Sequence, residues 1–232
     1  MIKKTILALA ALSAGASVYA AEANEVSFTL DNTIVSEYIF RGKELGDFTF
    51  QPSLEAKYGD FYAGVWAALP ESSANDEIDV YAGYSFALDE TFSLDAGLTY
   101  YHYTPASDTS TFEPFAGINA KVGGFNLGLY YYYDIQIEDS TVEASAGYSV
   151  PVESIGTSID LSANLGYVTG DGSESPINVV DNYTYWAVGV ALPYKVSDRA
   201  TLTAGVKYTD VSEDNINGAA EFTYSLGLSV GF

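Results

Sequence analysis

The chain has 232 residues, of which 31 are Asp or Glu, 9 are Lys or Arg and none is Cys. A formal net charge of −22 argues against the basic surface that nucleic-acid binding or docking on anionic lipid requires, and without thiols neither disulfides nor thiolate metal sites can form. The mean hydropathy of +0.07 is too low for a bundle of membrane helices, but it suits strands that turn alternate residues towards lipid.

The first twenty residues have the three parts of a secretory signal peptide. Lys3-Lys4 supplies a positive start, residues 6–12 form an apolar run too short to span a bilayer, and Val18-Tyr19-Ala20 fits a small-x-small cleavage site. We expect cleavage after Ala20 or else after Ala23, and no Cys follows that could carry a lipid anchor. Residues 1–20 are therefore predicted to be a cleaved signal peptide, and residues 21–232 a single domain in a bacterial outer membrane.

Twelve segments alternate apolar residues with small or polar ones, and this period of two predicts β-strands. In the fourth segment, for example, Ile78, Val80 and Tyr84 oppose Glu77 and Asp79. The predicted class is all-β: a single antiparallel up-and-down transmembrane barrel, whose even strand number leaves no free edge in lipid. The strands are predicted at residues 25–41, 50–59, 61–69, 77–87, 91–103, 111–121, 124–135, 141–150, 157–168, 182–193, 199–209 and 219–232.

The connections between these strands alternate in length. Those after even-numbered strands are short, whereas those after odd-numbered strands are mostly longer and more acidic, the longest being residues 169–181. This layout is typical of outer-membrane barrels, which have short periplasmic turns and longer extracellular loops. We expect acidic loop residues such as Asp171, Glu174, Glu213 and Asp214 to be solvated, or bridged by divalent ions to lipopolysaccharide, and we expect neither a metal site of the protein's own nor a cofactor.

Glycine recurs in the middle of ten predicted strands, as in Ala63-Gly64-Val65 and Ala116-Gly117-Ile118. Glycine weakens a strand unless something needs the space that a side chain would fill. These glycines fall almost always on the polar face, which has two explanations: an interior kept open, or room for neighbouring inward tyrosine rings. The sequence leaves both explanations open.

The final strand alternates most clearly, with an apolar face opposed by Thr, Ser and Gly. It resembles the C-terminal strand of bacterial outer-membrane barrels, in which a terminal Phe is part of the signal read by the barrel-insertion machinery. The resemblance implies that machinery as a partner. A soluble β-sandwich or lipocalin-like barrel is the alternative, but the polar face has few lysines and the aromatic residues cluster near strand ends. The predicted insertion signal is Tyr224, Leu226, Leu228, Val230 and Phe232.

A more specific pattern follows the signal peptide. Ser36-Glu37-Tyr38-Ile39-Phe40-Arg41-Gly42 is followed by Gln51-Pro52 and then by Gly59-Asp60-Phe61-Tyr62-Ala63-Gly64-Val65-Trp66. This pattern resembles the N-terminal signature of the TorF family of porin-like proteins, over about the first quarter of the mature chain. Where that family usually has Ser after the Trp, this chain has Ala67-Ala68. The resemblance implies an outer-membrane barrel with a porin-like role.

If the apolar parity faces lipid, the opposite parity lines a lumen. Acids outnumber bases on that parity, where Asp31, Glu77 and Asp134 also lie, and rings of one charge sign select the opposite ion. We therefore predict a preference for cations; the alternative is that salt bridges fill the interior. We also expect Tyr62, Trp66, Tyr81, Tyr101, Tyr130 and Tyr132 to point inward, although the parity of residues 61–69 leaves the first two open. The predicted channel-lining residues are Glu37, Arg41, Glu55, Lys57, Asp79, Asp95, Glu113, Lys121, Glu143, Asp160, Lys207 and Glu221.

Two of these residues and one histidine allow more specific expectations. Arg41 is expected at the outer mouth, facing Glu37, either as a constriction or as an anchor for a loop. Acyl transfer normally needs a His base beside a Ser nucleophile, and the single histidine, His102, lies on the apolar parity with no Ser within two residues. A lipid hydrolase would require His102 to lie within hydrogen-bond reach of a Ser and an acid.

The sequence thus predicts a non-enzymatic, porin-like channel for passive diffusion of small hydrophilic solutes. A closed structural or interaction barrel, whose acidic loops bind a partner or divalent cations, is the second interpretation, and an outer-membrane lipid hydrolase is the third. The expected partners are outer-membrane lipid and lipopolysaccharide, the barrel-insertion machinery and small hydrophilic solutes, with no nucleic acid.

Overall fold

A computed structural model of the chain describes residues 25–72, 75–104, 110–170, 182–212 and 220–232. The predicted signal peptide lies outside these residues, and so do the acidic loop residues Asp171, Glu174, Glu213 and Asp214. No helix in the described part of the chain is both long and apolar enough to cross a membrane.

Twelve antiparallel strands close into one barrel, as the alternation predicts. Each barrel strand pairs with the barrel strands before and after it in the sequence, so that β1 pairs with β4, and the pairing of β1 with β14 closes the barrel. The pair β2–β3 forms a separate two-stranded sheet. The strands are β1 (Val26–Val35), β2 (Tyr38–Phe40), β3 (Lys43–Gly46), β4 (Thr49–Tyr58), β5 (Phe61–Pro70), β6 (Asp76–Ala87), β7 (Phe92–Thr104), β8 (Thr111–Val122), β9 (Phe125–Tyr133), β10 (Ser140–Val152), β11 (Thr157–Thr169), β12 (Asn182–Lys195), β13 (Ala200–Val211) and β14 (Glu221–Gly231).

The prediction for the first strand is wrong beyond Val35. Instead of running from residue 25 to 41, β1 ends at Val35, and the chain then turns into the β2–β3 hairpin. The physical reason is the Arg41-Gly42 pair, whose φ angles of 48° and 81° make a tight two-residue turn that no continuous strand can contain. The end of the seventh predicted strand also moves, from residue 135 to Tyr133, where β9 ends.

The two rims of the barrel differ as the connection lengths predict. The short connections at 59–60, 88–91, 123–124, 153–156 and 196–199 lie at one rim, where β1 also begins and β14 ends; we call it the turn rim. The connections at the opposite rim, which we call the loop rim, include residues 36–48, and these carry the hairpin. A short 3-10 helix, Glu153–Ile155, occupies one connection at the turn rim.

The barrel is apolar outside and polar inside. Leu54, Val65 and Val80 expose 39%, 40% and 54% of their surface on the outer face, whereas Asp95 and Glu113, on the inner face, expose 3% and 2%. A water-soluble protein has the reverse distribution, because burying apolar surface drives its folding. The outer face is therefore suited to lipid, as the alternation predicts.

Pairs of aromatic side chains lie on the outer face near both rims. Phe61 packs against Tyr84 near the turn rim with ring centroids 4.6 Å apart, and Tyr208 packs against Phe222 near the loop rim at 4.8 Å. At the seam, Phe232 stacks on Phe28 at 5.9 Å, and their backbones exchange hydrogen bonds of 2.8 and 3.0 Å. The last residue thus closes the turn-rim end of the seam between β1 and β14, while its role as an insertion signal stays a prediction.

Candidate channel lumen

The β2–β3 hairpin, residues 38–46, folds from the loop rim into the barrel and contacts the inner face on two sides. Tyr38 packs against Trp66 of β5 with ring centroids 5.6 Å apart, and its hydroxyl donates a 2.9 Å hydrogen bond to Glu77 of β6. Phe40 lies 6.2 Å from the ring of Tyr101 on β7. The predicted inward direction of Trp66 is thereby confirmed, since its ring meets a residue inside the barrel.

The tip of the hairpin is fastened to the barrel wall by Arg41. Its two terminal nitrogens donate hydrogen bonds of 2.6 and 2.8 Å to the two carboxylate oxygens of Glu113, which also accepts a 3.0 Å bond from Tyr101. The guanidinium carbon lies 4.7 Å from the ring centroids of both Phe40 and Tyr132. Planar, bidentate pairing flanked by aromatic faces is the strongest arrangement that Arg makes with a carboxylate. The expected pairing of Arg41 with Glu37 is therefore wrong.

The other side of the hairpin tip meets the opposite wall. A Cβ on Gly42 would overlap Val211 of β13 and come within 2.7 Å of the Cβ of Tyr185 on β12, so only glycine fits there. Lys43 places its ammonium 5.0 Å from the ring centroid of Tyr183. The hairpin thus reaches across the lumen near the loop rim, from β6–β9 on one side to β12–β13 on the other.

Below the hairpin, three rows of side chains repeat the same arrangement across neighbouring strands. In each row a tyrosine lies flat over the glycine beside it, and its hydroxyl reaches a carboxylate one strand further on. The hydroxyl-to-carboxylate distances are 3.1, 3.1 and 2.6 Å. We call these the Tyr–Gly–carboxylate rows; they are Tyr81–Gly64–Glu55, Tyr130–Gly117–Asp95 and Tyr185–Gly166–Glu143.

These rows decide between the two explanations for the glycine repeat. A Cβ on Gly64 would lie 2.5 Å from Tyr81 Cζ, and one on Gly117 would lie 2.5 Å from Tyr130 Cγ, which real side chains do not allow. The glycines therefore make room for tyrosine rings. Not every glycine has this role, because a Cβ on Gly147 would meet nothing closer than 3.8 Å.

The rings form one crowded side of the lumen. Tyr62 lies over Gly83 and donates a 3.1 Å hydrogen bond to Asp95, and Asn119 donates a 2.7 Å bond to the hydroxyl of Tyr130. We call the inner face of β5–β9 the aromatic wall. Its inward rings, all predicted except the Phe, include Tyr62, Trp66, Tyr81, Tyr101, Phe115, Tyr130 and Tyr132.

The opposite side of the lumen carries small side chains. The inner parity of β13, β14 and β1 bears mostly Thr, Ser and Gly, with Lys207, Asp31 and Glu221 as its charged members and no aromatic ring. We call this face the hydroxyl wall. Because its side chains are short, any continuous passage through the barrel has most room along it.

The remaining predicted channel-lining residues fall into four groups. Glu55, Asp95 and Glu143 hold tyrosine hydroxyls in the rows, and Asp160 accepts a 2.7 Å bond from Ser158. Asp79 is buried on β6 between Trp66 and Tyr101, its partners in the strand register. Glu37 lies beside Glu221 at the base of the hairpin. Lys57, Lys121 and Lys207 share the inner parity of β4, β8 and β13.

Sequence reasoning missed the hairpin as a unit, and with it the roles of Tyr38, Phe40 and Lys43. The Arg41-Gly42 dipeptide is the signal that could have revealed it, since a glycine after a polar residue between two short apolar stretches is typical of a hairpin turn. Asp134 also differs from its predicted place in a strand. It accepts hydrogen bonds from the backbone amides of residues 136 and 137 and so shapes the turn after β9.

A hydrolase would require both a Ser and an acid within hydrogen-bond reach of His102, and the structure shows the Ser. The Nδ1 of His102 lies 2.9 Å from Ser110 Oγ, and its ring stacks on Tyr100 with centroids 6.2 Å apart. Among the described residues, no carboxylate is hydrogen-bonded to the ring. The pair joins the end of β7 to the start of β8, which is a structural role. The part of the chain that the structure describes also contains no group of three or more His, Cys, Asp or Glu placed to hold a metal ion.

A closed antiparallel barrel of twelve strands, apolar outside and polar inside, has the fold of outer-membrane porins and channels. The KdgM porin has a TM-score of 0.60 at 13% identity, over 89% of this chain and 99% of that one, and it has also been solved in complex with disordered oligogalacturonate. The NanC porin has a TM-score of 0.59 at 13% identity, over 87% and 98%. The COG4313 outer membrane channel from Pseudomonas putida F1 has 0.59 at 11%, over 92% and 97%. At these sequence identities, the comparison shows that the chain shares the fold of these proteins.

The chain belongs to a particular family within this class. Residues 19–229 match the family described as "Bacterial protein of unknown function (Gcw_chp)", so the match extends over nearly the whole sequence and all fourteen strands. A comparison with curated proteins gave no match. The narrower resemblance to the TorF family stays a prediction.

Proposed function

We propose that this barrel is an outer-membrane channel for passive diffusion of small hydrophilic solutes, and that it prefers cations. The observation that carries the proposal is the set of Tyr–Gly–carboxylate rows. Hydroxyl donors are neutral, so they orient Glu55, Asp95 and Glu143 without cancelling their negative charge. Fixed carboxylates along a narrow passage raise the local concentration of cations and repel anions.

The walls suggest where the solute passes. The aromatic wall fills one side of the lumen, and the hydroxyl wall presents short Thr and Ser side chains that can replace water around a polar solute. We propose that the passage follows the hydroxyl wall, past Glu143 and Asp31. The KdgM porin binds oligogalacturonate, an anionic oligosaccharide. The excess of acids in this lumen makes small cations the better candidates here.

The experiment is ion selectivity in planar bilayers under a KCl gradient, with the purified, refolded barrel. A reversal potential of the cation-selective sign is expected, and Asp95→Asn and Glu143→Gln should each shift it towards zero. Glu90→Gln is the matched control, because it removes one negative charge from an exposed turn outside the lumen. Anion-selective steps would overturn the proposed cation preference.

One observation favours a second function, the closed structural or interaction barrel. The hairpin reaches both walls near the loop rim, so it can close the lumen. Val35 pairs with Thr49 in the strand register, so a short Gly/Ser link can replace residues 38–46 without stretching the loop. Conductance steps from this variant but none from the wild-type protein would support the closed barrel. Steps from both would support the channel.

The location and partners belong to the same proposal. We propose that the protein lies in the outer membrane, that its acidic loops meet lipopolysaccharide through divalent ions, and that the final strand is read by the barrel-insertion machinery. The lipid-compatible outer face and the aromatic pairs at both rims support this placement. Fractionation of cell envelopes, with the protein found in the inner membrane, would contradict it.

A further inference from the structure

The carboxylate of Glu113 is surrounded in the way that proteins surround a bound organic cation. Tyr101 donates a hydrogen bond to it at 3.0 Å, the ring of Tyr132 lies 4.7 Å from the carbon of the guanidinium with which the carboxylate pairs, and the Glu113 side chain is almost fully buried. Carboxylates next to aromatic faces recognise guanidinium and ammonium groups, through charge-assisted hydrogen bonds and the negative faces of the rings. In this structure, the cation in that place is Arg41 from the hairpin.

Arg41 occupies a backbone position that does not suit arginine. Its φ of 48° lies in the left-handed region, and the next residue, Gly42, has a φ of 81°. Two positive φ angles are the mark of a type I′ hairpin turn, in which Asn, Asp or Gly is strongly preferred at the first position. An unfavourable backbone at one residue is a clue that its side chain is needed there.

The hairpin is tied to the barrel by its side chains and not by its backbone. Its strands pair with each other and not with β1 or β4, and no barrel strand extends its ladder. Its side-chain ties are the ring contacts of Tyr38 and Phe40, the contact of Lys43 with Tyr183, and the bidentate Arg41–Glu113 ion pair at the turn. An element tied in this way can leave the wall as a unit when its tip is released.

We propose that Glu113, Tyr101 and Tyr132 form a binding site for the guanidinium or ammonium group of cationic solutes, and that Arg41 is a tethered occupant which such solutes displace. The proposal rests on the cation preference proposed above, and it names the solute class. Displacement frees the hairpin from the aromatic wall and widens the passage near the loop rim. Because a tethered group competes at an effective concentration of about the millimolar range, free solutes should act at millimolar levels or above.

Fluorescence tests the binding step without any need for conduction. The chain has two tryptophans, and Trp66 contacts Tyr38 of the hairpin while Trp186 lies on the outer face. In a Trp186→Phe background, guanidinium chloride, at concentrations far below those that unfold proteins, should shift Trp66 emission saturably, and KCl of equal ionic strength should not. Arg41→Asn should have the shifted emission from the start, whereas Arg199→Gln, which alters an exposed turn at the other rim, should respond like the parent.

Conductance tests the consequence. Replacing part of the KCl by guanidinium chloride should raise the open time of the parent protein. In Arg41→Asn the site is vacant, so the same addition should lower the current, because guanidinium then binds within the passage. Heat-dependent gel mobility establishes that each variant is folded, and Arg41→Lys, which keeps a cation without bidentate geometry, should open at lower guanidinium concentration than the parent.

The outcomes separate this inference from the proposed function. Equal responses to guanidinium and potassium, or a parent-like response from Arg41→Asn, would overturn the binding site even if the channel is cation-selective. Anion selectivity under KCl, together with a saturable shift in Trp66 emission that Arg41→Asn abolishes, would overturn the proposed cation preference and leave the binding site standing.

Discussion

The ion pair between Arg41 and Glu113 offers the most direct measurement of what holds the hairpin. The side chains of Arg41 and Glu113 expose 13% and 3% of their surface, so either charge left alone would be poorly solvated. Removing one partner of a buried pair costs about 3–5 kcal/mol of unfolding free energy. Arg41→Asn regains about 1 kcal/mol by relaxing the positive φ, which leaves an expected loss of about 2–4 kcal/mol.

A double-mutant cycle gives the coupling between the two residues. Glu113→Gln should cost a similar amount, since it removes the negative charge and leaves one acceptor oxygen for the two guanidinium donors. The double variant Arg41→Asn/Glu113→Gln should cost clearly less than the sum of the single variants, with a coupling of about 2 kcal/mol or more, because neither charge remains. Unfolding by urea in lipid vesicles, followed by gel mobility and tryptophan fluorescence, measures all four proteins. Single effects that add to within about 0.5 kcal/mol would refute the reasoning.

Three further predictions test other parts of the structure. Gly117→Ala should lose about 1–3 kcal/mol of unfolding free energy, because the new methyl group displaces a tyrosine ring at its root, whereas Gly147→Ala should be neutral; equal effects would contradict the role of the glycine rows. Burial, and then the charge of Glu221, raise the pKa of the Glu37 carboxyl, so the ionised carboxylate destabilises the folded protein increasingly as pH rises. Glu37→Gln should therefore raise the urea midpoint more at pH 8 than at pH 4. A gain that does not depend on pH would contradict this assignment. Phe232→Ala should slow insertion of the barrel into the outer membrane of cells more than it slows refolding of the purified protein in detergent. A larger effect on refolding would mean that Phe232 acts through packing alone.

Much of the barrel follows from the period of the sequence. In β6 the alternation of Ile78 and Val80 with Glu77 and Asp79 fixes both the strand and its two faces, because a strand has no other way to separate apolar from charged residues. The same logic places the acids inside. It fails at β1, where Tyr38 and Phe40 continue the alternation of the strand before them. Alternation looks the same whether the next residues extend a strand or begin a hairpin. Only the turn at Arg41-Gly42 distinguishes the hairpin from a longer strand.

The candidate site could be predicted only in part, for a related reason. Parity identifies Glu113 as inward, but its partner Arg41 lies 72 residues away, and nothing local to either residue indicates the other. The Tyr–Gly–carboxylate rows are easier to predict from the sequence than the Arg41–Glu113 pair. Each row joins residues of three consecutive strands, so it becomes readable once the register is known, and the register depends on turn geometry that the sequence specifies weakly.

In this structure, ion selectivity and closure of the lumen depend on different carboxylates. Glu55, Asp95 and Glu143 are oriented by neutral tyrosine hydroxyls and not by the hairpin, so the selectivity proposed for them does not require the hairpin to be in place. Glu113 is paired with Arg41 of the hairpin, so it contributes to closure and not to selectivity. Loss of Arg41 should therefore widen the passage and add one negative charge to it, which makes a more open channel also a more cation-selective one. In a lumen filled by salt bridges, by contrast, opening would expose both signs of charge and weaken the selectivity.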